Sequence, residues 1–152
     1  PELGYLMLNG VGGHPGRDGN HTVIRRWVAP RSMTIEISGS LQHPQSQGDG
    51  VRGRVVSSRA GLLGEWQAQN KTAKTMLAPF DVQKGETIDF VVDCIGNEAY
   101  DAFGWTPEIR SAEGQRAWSA ATDFGPPPPP ALTRLELYAQ ALMMTNEFLF
   151  VD

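Results

Sequence analysis

Polar oxygen-bearing side chains cluster at the end of one apolar stretch. Residues 86–105 read ETIDFVVDCIGNEAYDAFGW. Four polar side chains lie within nine consecutive positions of this stretch: Asp93, Asn97, Glu98 and Asp101. Carboxylate and amide oxygens are the hard ligands that Ca²⁺ prefers, although no EF-hand spacing is present. The pattern predicts a structural Ca²⁺ site built from Asp49, Asp93, Asn97 and Asp101. The alternative is ordinary turn and cap chemistry, because Asn and Asp satisfy nearby backbone donors.

The same carboxylates are poor candidates for catalysis. A glycosidase holds two carboxylates roughly 5 to 9 Å apart across a cleft, and one loop does not guarantee that separation. His14, His21 and His43 fall in two different loops, and the chain has a single cysteine, so a zinc site is not expected. The segment GVGGHPG lacks the lysine and the following helix of a phosphate-binding loop. The sequence therefore predicts a protein that is not an enzyme.

Aromatic and arginine side chains suggest a binding surface instead. The flat ring of an exposed Trp or Tyr can stack on the apolar face of a sugar while polar neighbours reach its hydroxyls. A guanidinium group binds carboxylates through two parallel hydrogen bonds, which suits acidic sugars. The expected ligand-contacting residues are Arg25, Arg52, Trp66 and Tyr100. The alternatives are a core position for each tryptophan and a solvated sheet face for the arginines.

The elements that position these residues are short strands. Alternation of apolar and polar residues with period two, as in Met33, Ile35 and Ile37, is typical of half-buried strands. Turn-forming residues separate such segments about every ten residues, which is typical of a sandwich, and jelly rolls have this strand number. Pro79 predicts an edge position for its strand, since proline cannot donate to a ladder. Eight strands are expected: 4–11, 22–29, 33–41, 51–59, 62–69, 74–82, 86–95 and 103–112.

Composition bounds the class of protein. The chain has 152 residues and a net charge of −4, from 13 basic and 17 acidic side chains, and no basic stripe that would suggest nucleic acid. No apolar run approaches the roughly 20 residues of a membrane span. Cys94 lies inside an apolar strand and is expected to be a buried small hydrophobe. The chain begins at Pro1 without a signal peptide, so we expect it to be a piece of a larger protein.

The C-terminal part differs from the rest. Five consecutive prolines at 126–130 predict a semi-rigid polyproline strut rather than a ligand for a proline-recognising domain. Thr133 and Glu136 have capping-box spacing, and the apolar residues that follow predict an amphipathic helix that must dock onto something. The expected organisation is a β-sandwich at 1–124, a proline-rich linker at 125–132, and a helix and tail at 133–152.

Several motifs resemble a known family. They are GGHPG (12–16), IRRWVAP (24–30), GDGVRGRVVSSR (48–59), GETIDFVVDC (85–94) and YAQALMMTNEFLFVD (138–152). Together they resemble the C-terminal region of large planctomycete proteins that carry a cytochrome c domain upstream, followed by planctomycete-specific domains of unknown function. The resemblance implies a periplasmic or extracellular location and a haem-containing parent chain. This stretch has no CxxCH motif and so no haem site of its own.

The sandwich segment is also similar in pattern to galactose-binding-like jelly rolls, the architecture of many carbohydrate-binding modules. The similarity rests on Asp89-Phe90-Val91-Val92-Asp93, on Asn97 and Asp101, and on Trp105, Pro107 and Ile109. It implies an all-β jelly-roll β-sandwich that binds a polysaccharide or other glycan without catalysis. The alternative function is a structural docking domain that positions the other domains of the parent chain and binds no glycan.

Overall fold

A computed structural model describes residues 5–114 and 116–125, together with Arg134, Leu135, Leu137 and Tyr138. The two continuous ranges are all-β. Their strands are β1 (Met7–Leu8), β2 (Gly12–His14), β3 (Val23–Val28), β4 (Met33–His43), β5 (Val51–Ser57), β6 (Gly61–Ala68), β7 (Lys71–Val82), β8 (Thr87–Cys94), β9 (Phe103–Trp105), β10 (Glu108–Ser111) and β11 (Ala117–Ser119).

The strands form two antiparallel sheets. Sheet A has the order β1-β2-β9-β4-β10-β11, and β7 pairs with the remaining edge of β4. Sheet B has the order β3-β8-β5-β6. Strands β4 and β8 are each internal to their sheet, and each brings apolar residues to the space between the sheets. The protein is therefore a two-layered, sandwich-like β structure, as the sequence predicted.

Alternation along the strands explains this packing. On β5, Val51, Gly53 and Val55 are buried, whereas the intervening Arg52 and Arg54 lie on the outer face of sheet B. Full burial of each large apolar side chain contributes about 1.5–3 kcal/mol, so a one-residue slip of register would be costly. The core also contains edge-to-face aromatic contacts, among them Trp27 with Trp118 at 5.2 Å between ring centroids.

The predicted central strand is confirmed as β8, and Cys94 at its end is buried. The prediction of eight strands was wrong in number. Segment 103–112 divides into β9 and β10 around Thr106 and Pro107, and segment 4–11 gives only the two-residue β1. β7 continues through Pro79 because the register with β4 shifts between Ile35 and Ile37, so Pro79 needs no partner.

The described range 116–125 ends close to sheet B. Phe124 stacks on Phe90 with 5.0 Å between ring centroids, and Gly125 exchanges two backbone hydrogen bonds with Arg26 on β3. The polyproline strut at 126–130 and most of the predicted helix at 133–152 lie outside the described residues, and both stay predictions. No helix within the described part of the chain has the length and apolar character needed to span a membrane.

Candidate functional site

Three loops meet at one end of the sandwich. They are residues 44–50 after β4, the β6–β7 turn at Gln69 and Asn70, and residues 95–102 after β8; we call them the loop cluster. The amide and side-chain nitrogens of Asn97 donate to Asp49 Oδ2 at 3.2 and 3.3 Å. Gln69 Nε2 donates to the Gly48 carbonyl at 3.5 Å. Residues that are far apart in sequence therefore form one surface.

Two glycines allow the loops to approach this closely. Gly48 has φ 83°, and a Cβ there would lie 2.5 Å from the Ala99 carbonyl oxygen. Gly96 would place a Cβ 2.5 Å from Asp49 Oδ2. Any larger residue at these two positions would separate the loops, because the first approach is to a backbone atom and the second is to a hydrogen-bonded carboxylate. The glycines thus bring the Asp49 carboxylate against the 95–102 loop.

Asp101 is a buried carboxylate that lies beside the carboxylate of Asp49. Its side chain is 0% exposed, and within the described residues neither of its oxygens has a hydrogen bond of good geometry, although the His43 ring lies 3.3 Å away, from Nε2 to Oδ1; Asp49 Oδ1 is also buried and accepts no hydrogen bond from these residues. Burial and repulsion from Asp49 raise the pKa of Asp101 to about 6, although the His43 ring and the Gly50 amide oppose the rise. A buried carboxylate normally has a partner, so these oxygens identify a place where a cation or donor would be stabilised.

Asp93 is not part of this cluster. It is also 0% exposed, but it accepts hydrogen bonds from Arg52 Nε and Nη2, both at 3.0 Å, and from Arg54 Nη2 at 2.6 Å. These arginines sit on the outer face of sheet B, on the strand next to β8. The prediction of Asp93 as a Ca²⁺ ligand is corrected for this reason: two guanidinium groups already occupy its oxygens and balance its charge.

Arg25 is likewise removed from the predicted ligand-contacting set. It is only 6% exposed, and its guanidinium donates to the backbone carbonyls of Trp105, Asn9 and Gly12. Burial lowers the pKa of Arg25. The side chain ties β3 to the start of the chain and to β9 across the sandwich, so its donors are unavailable to an external ligand.

Arg52 keeps an accessible surface. Its side chain is 35% exposed even though it is hydrogen-bonded to Asp93, and that pairing raises the pKa of Arg52. It follows Val51 directly after the 44–50 loop, and so lies near the loop cluster. Arg52 can therefore present the outer side of its guanidinium at the edge of the cluster, while its inner side stays paired.

The two aromatic residues predicted to contact a ligand, Trp66 and Tyr100, lie in different surroundings. Trp66 is half-buried and packs against the core, beside Gly64 and Leu77, so it lines the interior and does not join the loop cluster. Tyr100 is 59% exposed and has φ 68°, an unusual conformation for a bulky residue. The remaining tryptophans, Trp27, Trp105 and Trp118, are buried, as the core alternative expects.

Sequence reasoning missed two residues of the cluster. His43 is 0% exposed and lies 3.3 Å from Asp101, measured from Nε2 to Oδ1. The amide of Asn70 donates to His43 Nδ1 at 3.2 Å. A turn of two polar residues between β6 and β7 was visible in the sequence, but the pairing of His43 with residues 27 and 57 positions away depends on strand register, which the sequence pattern does not reveal.

The residues present fit a hard cation only in part. No group of three His, Cys, Asp or Glu side chains in the described ranges is arranged to hold a metal ion. Asp49 and Asp101 would supply carboxylate oxygens, whereas the Asn97 side chain beside them directs its amide nitrogen to Asp49 and accepts a hydrogen bond from the Ala99 amide at its Oδ1. Ca²⁺ takes six to eight oxygen ligands, so backbone carbonyls, water or a bound ligand would have to supply the rest. The donor set is chemically suited to Ca²⁺, and it is incomplete.

Comparisons with known proteins give few matches. No family model matches the chain, and no curated protein matches it. A PA14 sugar-binding domain from an RTX adhesin is similar with a TM-score of 0.36 and 14% identity, over 65% of this chain and 49% of the other. The PA14 domain of the antifreeze protein MpAFP has a TM-score of 0.42 and 10% identity, over 80% of this chain and 70% of the other. This chain thus spans about half the length of the first of these structures.

Proposed function

We propose that this domain is a non-catalytic carbohydrate-binding module whose ligand site is the loop cluster, organised by Ca²⁺. One observation carries the proposal: the buried Asp101 carboxylate lies beside the Asp49 carboxylate, has no well-aligned hydrogen bond within the described residues, and is directly next in sequence to the exposed Tyr100. An ion position and an aromatic platform are therefore adjacent. In this proposal the domain belongs to a larger periplasmic or extracellular protein, as the sequence resemblance implies.

The carboxylates supply the first part of the argument. Asp49 and Asp101 each have an oxygen that is buried and accepts no hydrogen bond from the described residues, and the two repel each other. A bound Ca²⁺ would supply positive charge between them and open coordination positions for hydroxyl oxygens. Asp49 is held for this role by the two hydrogen bonds from Asn97, and Asp101 directly follows Tyr100 in the 95–102 loop.

Tyr100 supplies the second part. More than half of its surface is exposed, although a large aromatic side chain normally gains by burial. Its backbone is held at φ 68°, which costs about 1–3 kcal/mol and persists only where surrounding contacts determine it. An exposed ring on a strained, fixed backbone is suited to stacking on a flat apolar face. A pyranose ring offers such a face, with hydroxyls at its edge.

The polar residues at the rim favour a hydroxylated or acidic ligand. The Asn97 amide is exposed, and Arg52 lies near the cluster with a third of its side chain accessible. Both can donate to hydroxyl or carboxylate oxygens. We infer a ligand that is recognised by polar contacts around one stacked ring.

The second candidate function is docking within the parent chain. Contiguous apolar residues at the start of the described chain are exposed: Tyr5, Leu6, Met7, Leu8 and Val11. They include β1, which lies at the edge of sheet A, and an exposed apolar edge strand is a common site for contact with another protein segment. In this alternative the domain positions the other domains of the parent protein and binds no glycan.

A glycan-array screen of the chain, run with calcium and with EDTA, tests the two functions. We expect binding that EDTA removes. Replacement of Tyr100 by alanine is expected to weaken binding by about tenfold, since one aromatic contact contributes about 1.4 kcal/mol. Tyr100→Phe keeps the ring and should bind normally.

Tyr5→Ala is the matched control, because Tyr5 is also an exposed tyrosine, at 70% against 59% for Tyr100, and it lies just before β1, outside the loop cluster. It should leave glycan binding unchanged. If no neutral or acidic glycan on the array binds, and circular dichroism shows that the chain is folded, then carbohydrate binding is rejected and the docking function is favoured.

A further inference from the structure

The sequence contains two copies of the Asn-x-Thr motif that directs N-linked glycosylation. They read NHT at 20–22 and NKT at 70–72, so the middle residue is not proline in either. The asparagine of each motif is exposed. Residue type and exposure therefore do not distinguish the two motifs, and the difference between them lies in how the backbone around each one is held.

The first motif lies in a loop whose hydrogen bonds are local. Residues 15–22 connect β2 to β3 and contain no strand. The backbone amide of Asn20 donates to Asp18 Oδ1 at 2.9 Å, and Nδ1 of His21 lies 2.7 Å from the same oxygen. A Cβ at Gly19 would meet no atom within 4 Å apart from its chain neighbours, so the space beside Asn20 is open. Because these contacts stay within the loop, it can open without breaking a strand pair.

The second motif is fixed in a hairpin. Asn70 ends the turn between β6 and β7 with φ 47°, and its amide donates to the buried His43 ring at 3.2 Å. Thr72 already belongs to β7, where it pairs with Gln42 of β4. An enzyme that draws out residues 70–72 would therefore break the first pairs of the ladder between β4 and β7. Opening paired strands costs more free energy than opening a surface loop.

A transferase must hold the whole motif in its own site, so a motif that opens easily is modified more readily in a folded chain. We propose that Asn20 is an acceptor site for an N-linked glycan in the folded domain, whereas Asn70, in the same motif, is protected by its strands. This inference goes beyond the proposed function, because it holds whether or not the loop cluster binds a sugar. It fits the location outside the cytoplasm that is proposed above.

The reaction at Asn20 is a group transfer from a lipid-diphosphate-linked oligosaccharide. The side-chain nitrogen Nδ2 attacks C1 of the first sugar, and the new N–C1 bond forms as the bond from C1 to the diphosphate oxygen breaks. The lipid diphosphate leaves with the electron pair of that bond, and the amide nitrogen gives up one proton. Nothing is oxidised or reduced. The Thr22 hydroxyl is part of the motif that the enzyme recognises, and it keeps its own bonds.

Glycosylation of the folded, full-length chain tests the proposal. The chain is incubated with the lipid-linked oligosaccharide and a purified oligosaccharyltransferase that requires only the Asn-x-Thr motif, and peptide mass spectrometry measures the occupancy of each asparagine. Occupancy of Asn20 should exceed that of Asn70 by about tenfold, which corresponds to about 1.4 kcal/mol in the cost of opening. Asn9 is exposed but is followed by Gly10 and Val11, so it should stay unmodified as an internal control.

Matched variants separate the motif from its surroundings. Lys71→His makes the two motifs identical in sequence, and the preference for Asn20 should persist in it. Thr22→Ala should abolish modification of Asn20, whereas Thr22→Ser keeps the hydroxyl and should retain it. Circular dichroism checks that each variant is folded.

Three results would overturn the inference. The first is a folded chain in which Asn20 stays unmodified. The second is occupancy of Asn70 that equals or exceeds that of Asn20, in the unsubstituted chain or in Lys71→His. The third is a glycan on Asn20 that persists in Thr22→Ala. If Thr22→Ala does not fold, the unsubstituted chain and Lys71→His still decide the matter. None of these readouts depends on calcium or on glycan binding, so the proposed function is tested separately.

Discussion

Two aspartates, Asp93 and Asp101, lie eight positions apart and are both completely buried, yet their surroundings differ. Asp93 projects from β8 onto the outer face of sheet B, where Arg52 and Arg54 give it three hydrogen bonds. Asp101 lies in the loop cluster, where neither oxygen has a well-aligned hydrogen bond within the described residues, where the His43 ring lies 3.3 Å away and where Asp49 is the neighbouring negative charge.

The difference separates two uses of a buried carboxylate. Where opposite charges and donors surround it, as at Asp93, the group is part of the fold and has no capacity left for a ligand. Where a buried carboxylate faces a second carboxylate, as Asp101 faces Asp49, burial and repulsion lower the stability of the fold. A bound cation would reduce this loss of stability. The comparison therefore predicts that the two residues respond in opposite ways to the same substitution.

The largest effect is expected at Asp93. Asp93→Asn leaves two arginines without their counter-charge, and breaking a buried pair in this way typically costs 3–5 kcal/mol. Because Arg52 and Arg54 are 35% and 28% exposed and can be partly solvated, we expect the lower end, about 3 kcal/mol. Urea unfolding of the variant and of the unsubstituted chain measures this loss of unfolding free energy. A loss below about 1 kcal/mol would mean that the arginine network on sheet B is dispensable, which removes the contrast with Asp101.

The next effect is the response to calcium. At a calcium concentration of about 100 times Kd, the unsubstituted chain should gain about 2.7 kcal/mol of unfolding free energy. Asp101→Asn should abolish this gain while leaving the calcium-free chain as stable as before, or more stable, because an unpartnered charge is removed. Thermal unfolding with calcium and with EDTA provides the measurement. If Asp101→Asn destabilises the calcium-free chain as much as Asp93→Asn does, then Asp101 has a structural partner.

The smallest effect tests whether a third carboxylate behaves like Asp93. Glu86 is buried, and burial raises its pKa, but hydrogen bonds from Ser57, Gln83 and Arg59 outweigh this and lower the pKa from its ordinary 4.5. Its stabilising contribution is therefore present above 4.5 and is lost as the pH falls through the lower value in the folded chain.

Glu86→Gln checks this by comparison with the unsubstituted chain over a range of pH. At about pH 6 the variant should be less stable by about 1–2 kcal/mol, since hydrogen bonds to a charged group are lost. The two unfolding curves should converge as the pH falls below the lowered pKa of Glu86 in the folded chain, where the carboxylate is protonated in both states. A difference that stays constant with pH would show that the hydrogen bonds do not depend on the charge of Glu86.

Much of the fold could be predicted from local patterns. The period-two alternation of β4 and β5, the apolar run of β8 and the turn residues between them indicated an all-β protein with two apolar layers, which the structure confirms. The burial of Cys94 was predicted from its neighbours alone. Short strands were less predictable: β9 has three residues, and its existence depends on pairing with β2 and β4 rather than on its own sequence.

The candidate site was predicted in part. Asp49, Asn97, Asp101 and Tyr100 were proposed from residue type, and the structure brings them to one end of the sandwich. Arg25 and Asp93 were assigned to the wrong environment, because a sequence does not show whether a strand residue faces the core, an arginine or a loop. The Arg25 side chain points into the space between the two sheets. The Asp93 side chain points to the outer face of sheet B, where it meets two guanidinium groups of the next strand.

The sequence by itself determined the class of the protein and the kinds of chemistry available to it. The apolar periodicity dictates strands, and carboxylates, amides and aromatics in loops limit the ligand to one that such groups recognise. Only the tertiary structure decided which carboxylate has a partner. Strand register places Arg52 beside Asp93 and His43 beside Asp101. The first contact joins residues 41 positions apart, and the second joins residues still farther apart. Both arise only when buried strands fix the loops and the sheet face in space.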